Sequence, residues 1–493
     1  MTKKTQHSPW MVLATVTLGT LLIGMDRTVV NLGLPKIIAD FGISLSTAGW
    51  VATAYIISNA VFVPVFGKLG DIIGDSKIYL WSFVGFIAVS VLAGFSWNAS
   101  SLIFFRVLQG LVGAAVYPTA MSLIVKNFKD KGQRAQALGL WSASFAAAAV
   151  IGPLVGGPLI DHYSWRMLFY INLPIGLLGI FMVLAYLPQD KGKERGGFDF
   201  YGAITLAVVL SSLVLVLEKG REWGWMSLES VLLYGLIFIF ALWFIRIEKN
   251  HPSPMIDLKF FGNQTFVVAL LVSFVSFGGM MGAMFLLPIF VQTYLGYDAT
   301  ETGLLFLPMA LTMFVAAPLG ARLSQKIHVR YNVALGMSLV ALGIYLFSGL
   351  DAKTSAFELT FPLMVLAVGM GLGMAPLTNL VASSVPAHEV GIASALLNLT
   401  RNIAGAVAIA VFGTLLSNVT ESTVLEIGAN TVINDPSFVN LVPGLVILKS
   451  QILAYREVFL SASVITVFGA FLALLLKDTS KIEERKSSEE VSS

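Results

Sequence analysis

The sequence predicts an all-α membrane protein of fourteen spanning helices with both termini in the cytoplasm. Three observations carry this. Of 493 residues, 56% are hydrophobic and only 12% charged, where soluble domains carry about 25% charge. Apolar runs of about 20 residues, the length that crosses a bilayer as a helix, recur along the whole chain and give a mean hydropathy of +0.82. Lys and Arg are distributed unevenly between alternate loops. Barrel strands are shorter and alternate in polarity, so these runs are helices. A soluble enzyme is excluded. The absence of cysteine removes disulfides, thiolate metal sites and iron–sulfur clusters, and a net charge of +3 is too small to argue for nucleic acid.

The apolar segments lie near residues 10–34, 48–69, 78–96, 100–125, 136–159, 167–187, 201–218, 230–247, 265–291, 302–324, 332–349, 358–381, 394–417 and 456–476. The first follows Lys3 and Lys4, as in a signal peptide. However, Asp26 and Arg27 interrupt it and no small-residue cleavage pattern follows, so it reads as an uncleaved helix. With the N-terminus inside, 21 of the 31 Lys and Arg fall on the inner side, 7 on the outer side and 3 within helices, which satisfies the positive-inside rule. The segment 418–455 is then the longest outer loop, expected to hold a short amphipathic helix, and the charged, Ser-rich tail after Lys477 reads as disordered. Gly67 to Lys77 and Gly320 to Arg330 are loops of matching length after the second and tenth segments, a weak internal repeat. The expected organisation is a six-helix bundle over 1–190, two linking helices over 191–260, a second six-helix bundle over 261–477 and a cytoplasmic tail over 478–493.

Charges inside such segments mark function, because inserting one at a helix centre costs about 2.5–3.5 kcal/mol. Asp26 lies deep in the first segment and Arg106 a few residues into the fourth, with Gln109 one turn on; both charges are expected to face the space between the halves. We read Asp26 as the proton-coupling carboxylate, since an acid alternately dried and wetted can load a proton on one side and release it on the other. The competing readings are a structural Asp held by Arg27 or Asn31, and an Arg106 that snorkels to the outer surface. Asn31, Tyr55, Gln109, Gln292, Asn398 and Arg401 are the candidate substrate contacts, with Asn379 and Asn402 nearby in pattern. Phe274, Phe277, Met280, Met281 and Met284 recur at helical spacing, as in an adaptable apolar lining, although packing or lipid contact explains any one of them as well. Asp298 and Glu301 read as a solvated rim. The five His are scattered without metal-ligand spacing, no Walker loop is present, and Gly369-Met370-Gly371-Leu372-Gly373 reads as helix packing rather than nucleotide binding. No cofactor and no metal are expected.

Five motifs stand in order. Gly67-Lys68-Leu69-Gly70-Asp71-Ile72-Ile73-Gly74-Asp75-Ser76-Lys77 resembles the cytoplasmic loop signature of the major facilitator superfamily, G-x-L-x-D-x-x-G-R-[KR]-x, and Arg106-Val107-Leu108-Gln109-Gly110 resembles its R-x-x-Q-G motif. Gly152-Pro153-Leu154-Val155-Gly156-Gly157 resembles its antiporter motif G-P-x-x-G-G. The runs Asp26 to Pro35 and Trp165 to Gly176 are similar to signatures of the fourteen-helix drug:proton antiporter branch. The loop departs from its pattern at Ile72 and Asp75, and Ala148 stands where the antiporter motif has Gly.

The resemblance, which spans nearly the whole chain, implies a major facilitator fold and proton-coupled export of drugs or amphipathic small molecules across the plasma membrane by alternating access. It implies a role in proton transfer for Arg106, and a latch built on Gly67, Lys68, Asp71, Gly74 and Lys77 that holds the outward-open state. Gly152, Pro153, Gly156 and Gly157 read from their size and spacing as a packed hinge. The scarcity of acids favours neutral or anionic cargo over polycations. The expected partners are a small-molecule substrate, protons and the bilayer; a monomer is expected, with accessory export proteins left open. A uniporter or importer of a metabolite on the same scaffold is the nearest rival. A respiratory proton-pumping subunit would carry Lys in several central helices, and a transport-dead sensor would not need the full motif set.

Overall fold

The computed structural model describes residues 8–188, 198–386, 389–430 and 442–477, and the described residues are helical almost throughout. The first half contains α1 (Pro9–Phe41), α2 (Leu45–Ile73), α3 (Asp75–Gly94), α4 (Ala99–Gly113), α5 (Val116–Asn127), α6 (Lys131–His162), α7 (Met167–Tyr170) and α8 (Asn172–Tyr186). In the stretch where the linking helices are expected stand α9 (Phe200–Trp223) and α10 (Leu228–Asn250). The second half contains α11 (Gln264–Tyr294), α12 (Ala299–Leu305), α13 (Leu307–Lys326), α14 (Val329–Leu346), α15 (Ala356–Ser383), α16 (Val390–Asn430) and α17 (Val442–Ala473).

Among the described residues, thirteen helical stretches are long and apolar enough to cross a membrane; α4 with α5, α7 with α8, and α12 with α13 each count as one. The 32-residue α6 is the remaining long helix, and its centre is rich in Ala, Gly and Ser rather than large apolar residues.

Local chemistry sets the helix ends. Ser44, Asn98 and Asp130 accept from backbone N–H groups in the first turns of α2, α4 and α6, satisfying donors that the helix leaves open. Asp298 and Glu301, the expected rim charges, form a capping box that starts α12. Gly42 ends α1 at φ 62° and Gly74 joins α2 to α3 at φ 112°, a region that L side chains avoid.

One expectation is corrected. The stretch 418–455 is not a loop with a short helix: α16 runs on to Asn430 and α17 begins at Val442. No proline stands between residues 418 and 430 to stop the helix. Residues 191–197 and the expected disordered tail lie outside the described residues, as do His7 and His388.

Within the first half, α1 packs on α6, α2 on α4, and α3 on α4 and α8. Within the second, α15 packs on α13 and α14, α17 on α14 and α16, and α11 on α16. The halves meet where α6 lies against α13 and α15, and where α16 lies against α2 and α5. The glycine run of α15 packs backbone to backbone: a Cβ on Gly369 would stand 2.5 Å from the Gly336 carbonyl, and one on Gly371 2.6 Å from the Ala316 Cβ. The packing reading of that run therefore holds. The linker helix α9 lies against α2 and α16, with α10 behind it. α10 presents Leu232, Phe238, Leu242 and Trp243 outward, as a lipid-facing helix does. Asp199 caps α9 by accepting from Gly202 N at 2.7 Å, and Glu248 of α10 accepts from Ile256 N at 3.2 Å.

Candidate functional site

The capping box of Asn98 and Ser101 fixes the start of α4, which places Arg106 and Gln109 two to three turns in and on one face. That face meets Asp26 near the middle of α1. Arg106 Nη1 donates to Asp26 Oδ2 at 2.7 Å and to Gln109 Oε1 at 2.6 Å. Gln109 Nε2 donates to Asp26 Oδ1 at 3.0 Å and to Ser90 Oγ at 2.7 Å. Asn172 Nδ2 of α8 donates to Asp26 Oδ1 at 2.8 Å and to Ser90 Oγ at 3.1 Å. Arg106 Nε donates to the Val51 carbonyl at 3.1 Å, and its Cζ lies 4.2 Å from the centroid of the Tyr55 ring. All five polar residues are buried, Asp26 and Arg106 at 1% exposure. Arg106 therefore does not snorkel, and Asp26 is held not by Arg27 but by a network drawn from four helices. Such a pair is stable only because each charge is matched and further hydrogen-bonded.

The network does not face the space between the halves, as the sequence reading expects. It points into the first half, because α1, α3, α4 and α8 pack there, and its neighbours face the centre instead. A cavity of about 300 Å³ lies between the halves. On the first side it is lined by Thr20, Arg27, Tyr55, Asn59 and Tyr117, and on the second by Phe277, Asn398, Arg401, Asn402 and seven methionines, Met280, Met281 and Met284 among them. Tyr55 lines the cavity while stacking on Arg106, so one ring separates cavity from ion pair. Arg401 Nη1 donates to Tyr117 Oη at 2.9 Å and Nη2 to Thr378 Oγ1 at 2.9 Å. Arg27 Nη1 reaches Asn402 Oδ1 at 3.4 Å. Both arginines thus bridge the two halves at the cavity.

Of the candidate contacts, Tyr55, Asn398 and Arg401 line this cavity, and Gln109 belongs to the network instead. Gln292 is exposed on α11, away from the lining, and the Asn31 side chain lies outside the described residues. Phe274 is absent from the lining while Phe277, Met280, Met281 and Met284 are on it.

The loop residues gather where α2 meets the start of α16. A Cβ on Gly67 would stand 3.0 Å from both the Ala395 Cβ and the Gly391 carbonyl, and Asp71 Oδ1 lies 2.8 Å from the Cβ position of Gly391. The Asp71 carboxylate therefore faces the first turn of α16, where a helix favours negative charge. Lys68 does not pair with it: its Nζ donates to the Pro254 carbonyl at 2.8 Å, tying the loop to the linker connection. Lys77 is exposed. Asp75, which departs from the loop pattern, is fully buried and pairs with Lys126 and Ser122 of α5, each at 2.5 Å.

The glycines expected to form a hinge face α1. A Cβ on Gly152 would collide with Thr28 Oγ1, and one on Gly156 would stand 2.9 Å from Val29 Cγ1; Gly157 is buried. The Pro153 side chain lies outside the described residues. Ala148 is accommodated by Gly24 opposite, whose added Cβ would meet the Ala148 Cβ at 2.7 Å. At the other end of α1, Arg166 Nη1 and Trp165 Nε1 donate to Asp40 Oδ2 at 2.7 and 3.0 Å. The hydrogen bond from Arg166, with that from Trp165, holds the Asp40 carboxyl below its ordinary value.

Ser90, Asn172, Asp75 and Tyr117 are the residues that sequence reading missed. A polar side chain midway along an apolar run was the available signal for Ser90, and Asn172 stood inside a quoted motif without an assigned role.

The comparisons agree with this architecture. Residues 16–409 match the model of the Major Facilitator Superfamily. The chain is 33% identical over 422 residues to the multidrug transporter protein MdtP of Bacillus subtilis, covering 85% of this chain and 77% of that one. It is 30% identical over 410 residues to the multidrug export protein EmrB of Escherichia coli, covering 82% and 79%. The crystal structure of the human organic anion transporter MFSD10 (TETRAN) superposes with a TM-score of 0.64 at 15% identity, over 94% of this chain and 99% of that one, a likeness of fold. The chain is a multi-pass integral protein of the plasma membrane and belongs to the Major Facilitator Superfamily.

Proposed function

We propose that this protein exports drugs or other amphipathic small molecules in exchange for protons, by alternating access around the central cavity. The observation that carries the reading is the pairing of that cavity with a buried acid one side chain away: Tyr55 contacts both the cavity and the Asp26–Arg106 network. Protonation of Asp26 removes the charge that Arg106 Nη1 faces at 2.7 Å. Arg106 then keeps only Gln109, the Val51 carbonyl and the Tyr55 ring. A shift of the guanidinium moves the Tyr55 wall, and with it the cavity. Substrate and proton thus compete through one ring without sharing a site. Relatives named as a multidrug transporter and a multidrug export protein support the export direction.

The cytoplasmic seal in this reading is the contact of Gly67 and Asp71 with the start of α16, and the α1–α6 hinge at Gly152, Pro153, Gly156 and Gly157 transmits the rocking. Fourteen spans with α6 included put both termini on one side, which the Lys and Arg bias makes the cytoplasm, around bundles at 1–190 and 261–477. The unit is a monomer, with accessory export proteins as candidate partners. Because the chain has no cysteine, a single Cys introduced at either terminus reports sidedness by impermeant labelling, and outside labelling of either terminus contradicts this topology.

The functional test is transport in proteoliposomes. An imposed proton gradient should drive substrate accumulation against its concentration gradient, and a protonophore should abolish it. Downhill flux indifferent to the gradient would instead establish the uniporter.

A further inference from the structure

We infer that the central cavity selects amphipathic anions, with the acid headgroup at Arg401 and Arg27 and the apolar tail along the methionines. The inference rests on the cavity being the transport site proposed above.

The charge balance of the lining is one-sided. Arg27 and Arg401 are its charged residues, and it contains no Asp or Glu. The nearby carboxylate of Asp26 is already matched by Arg106 and turned into the first half. Glu218 on α9 acts on Arg27 from outside the lining, so Arg401 is the stronger anchor.

Arg401 is 6% exposed, and two of its three nitrogens are used: Nη1 by Tyr117 and Nη2 by Thr378. Its Nε is buried with no hydrogen-bond partner among the described residues, and so is Oγ of Ser142, another lining residue. A buried donor left open is costly, the more so when it is charged. A carboxylate, sulfonate or phosphate monoester brings the acceptors that such donors lack. The Arg401 partners, Tyr117 and Thr378, are neutral, so the guanidinium retains its full charge toward the cavity. A cationic substrate would bring its charge against two guanidinium groups with no acid in the lining to offset them.

The methionines, on the same side of the cavity as Arg401, supply the tail site. Met280, Met281, Met284, Met309, Met313 and Met374 contribute unbranched, polarizable side chains, which repack around different apolar shapes. At about 300 Å³ the space is at the lower end for small-molecule sites, which suits a single alkyl chain or a fused aromatic system rather than a multi-chain lipid.

The test is displacement of a dansylated fatty acid from purified protein in nanodiscs at neutral pH. The competitors are dodecanoate, its methyl ester and dodecyltrimethylammonium, which share one tail and differ in head charge. The expected order is carboxylate over ester over ammonium, with about tenfold or more between the ends, as a charge-assisted pair supplies. Arg401→Gln and Arg27→Gln should each weaken dodecanoate several-fold and leave the ester unchanged. Arg27 is exposed, so Arg27→Gln tests the inference even where Arg401→Gln does not fold. Ammonium binding as tight as carboxylate, or equal weakening of ester and acid in Arg27→Gln, overturns it. Anion-selective binding without proton-driven flux would overturn the exporter reading and leave this one standing. Proton-driven export of the ammonium, unaffected by either Arg variant, would do the reverse.

Discussion

Asp26→Asn separates a structural ion pair from a coupling one. The substitution keeps the shape of the side chain, so no cavity forms. The carbonyl of the introduced amide still accepts one donor, while Arg106, at 1% exposure, loses the counter-charge that it meets at 2.7 Å. Breaking one partner of a buried pair costs about 3–5 kcal/mol, mostly as the uncompensated charge left behind. The hydrogen bond from Arg106 Nε to Val51 and the Tyr55 ring soften this, so the lower end, about 3 kcal/mol, is expected. The double variant Asp26→Asn/Arg106→Gln removes both charges and should recover most of that stability. Transport should respond differently: both variants should lose proton-driven uptake while retaining substrate binding. The assays are reversible unfolding in mixed micelles and dye-reported proton flux in proteoliposomes. Wild-type stability and wild-type coupled flux in Asp26→Asn would refute the reasoning. Recovery of both stability and coupling in the double variant would show that the pair is structural alone.

Three further outcomes follow from the geometry. Gly156→Leu forces a branched side chain into the 2.9 Å gap to Val29 Cγ1; overpacking of about 1–3 kcal/mol should reduce transport turnover more than substrate affinity, and unchanged turnover contradicts the hinge. Asp75→Asn leaves Lys126, whose side chain is 31% exposed, without its buried partner. Lys126 can turn to solvent, so the loss should be smaller than at Asp26, about 1–3 kcal/mol, read by thermal melting. Asp40→Asn removes an exposed pair with Arg166, worth about 0.2–1 kcal/mol. Because the native carboxyl titrates below its ordinary value of 3.8, its contribution is complete above that value. It is lost as pH falls through the lower native value, so the wild-type and variant stability curves should converge there and run parallel near neutrality.

Hydropathy and segment length made the spans legible because bilayer thickness sets the length that a spanning helix needs. They did not reveal the breaks after Gly113, Tyr170 and Leu305, which lie within apolar runs and change no hydropathy. The reach of α16 to Asn430 was hidden for the opposite reason: outside the membrane a helix needs no apolar run, and the polar stretch reads as loop. At the site, Asp26, Arg106 and Gln109 stood out as charges and amides in apolar sequence. Their facing did not, since helices that are apolar all round give no amphipathic stripe to orient them. Asn172 joined the network only through the packing of α8 on α3. The Met lining was half legible: Met280, Met281 and Met284 share a segment, whereas Met309, Met313, Met370 and Met374 come from helices that only the fold brings together. The unusual Asp75 looked like a defect in the loop signature and proved to be buried against Lys126, a partner 51 residues away.

The central claim is that occupancy of the cavity and protonation of Asp26 exclude one another through Tyr55. Substrate-induced proton release from purified protein in weakly buffered solution measures this directly. The account predicts that saturating substrate expels protons from the wild type in proportion to the protein present, and none from Asp26→Asn that still binds. Equal proton release from that variant, or none from either, would contradict it.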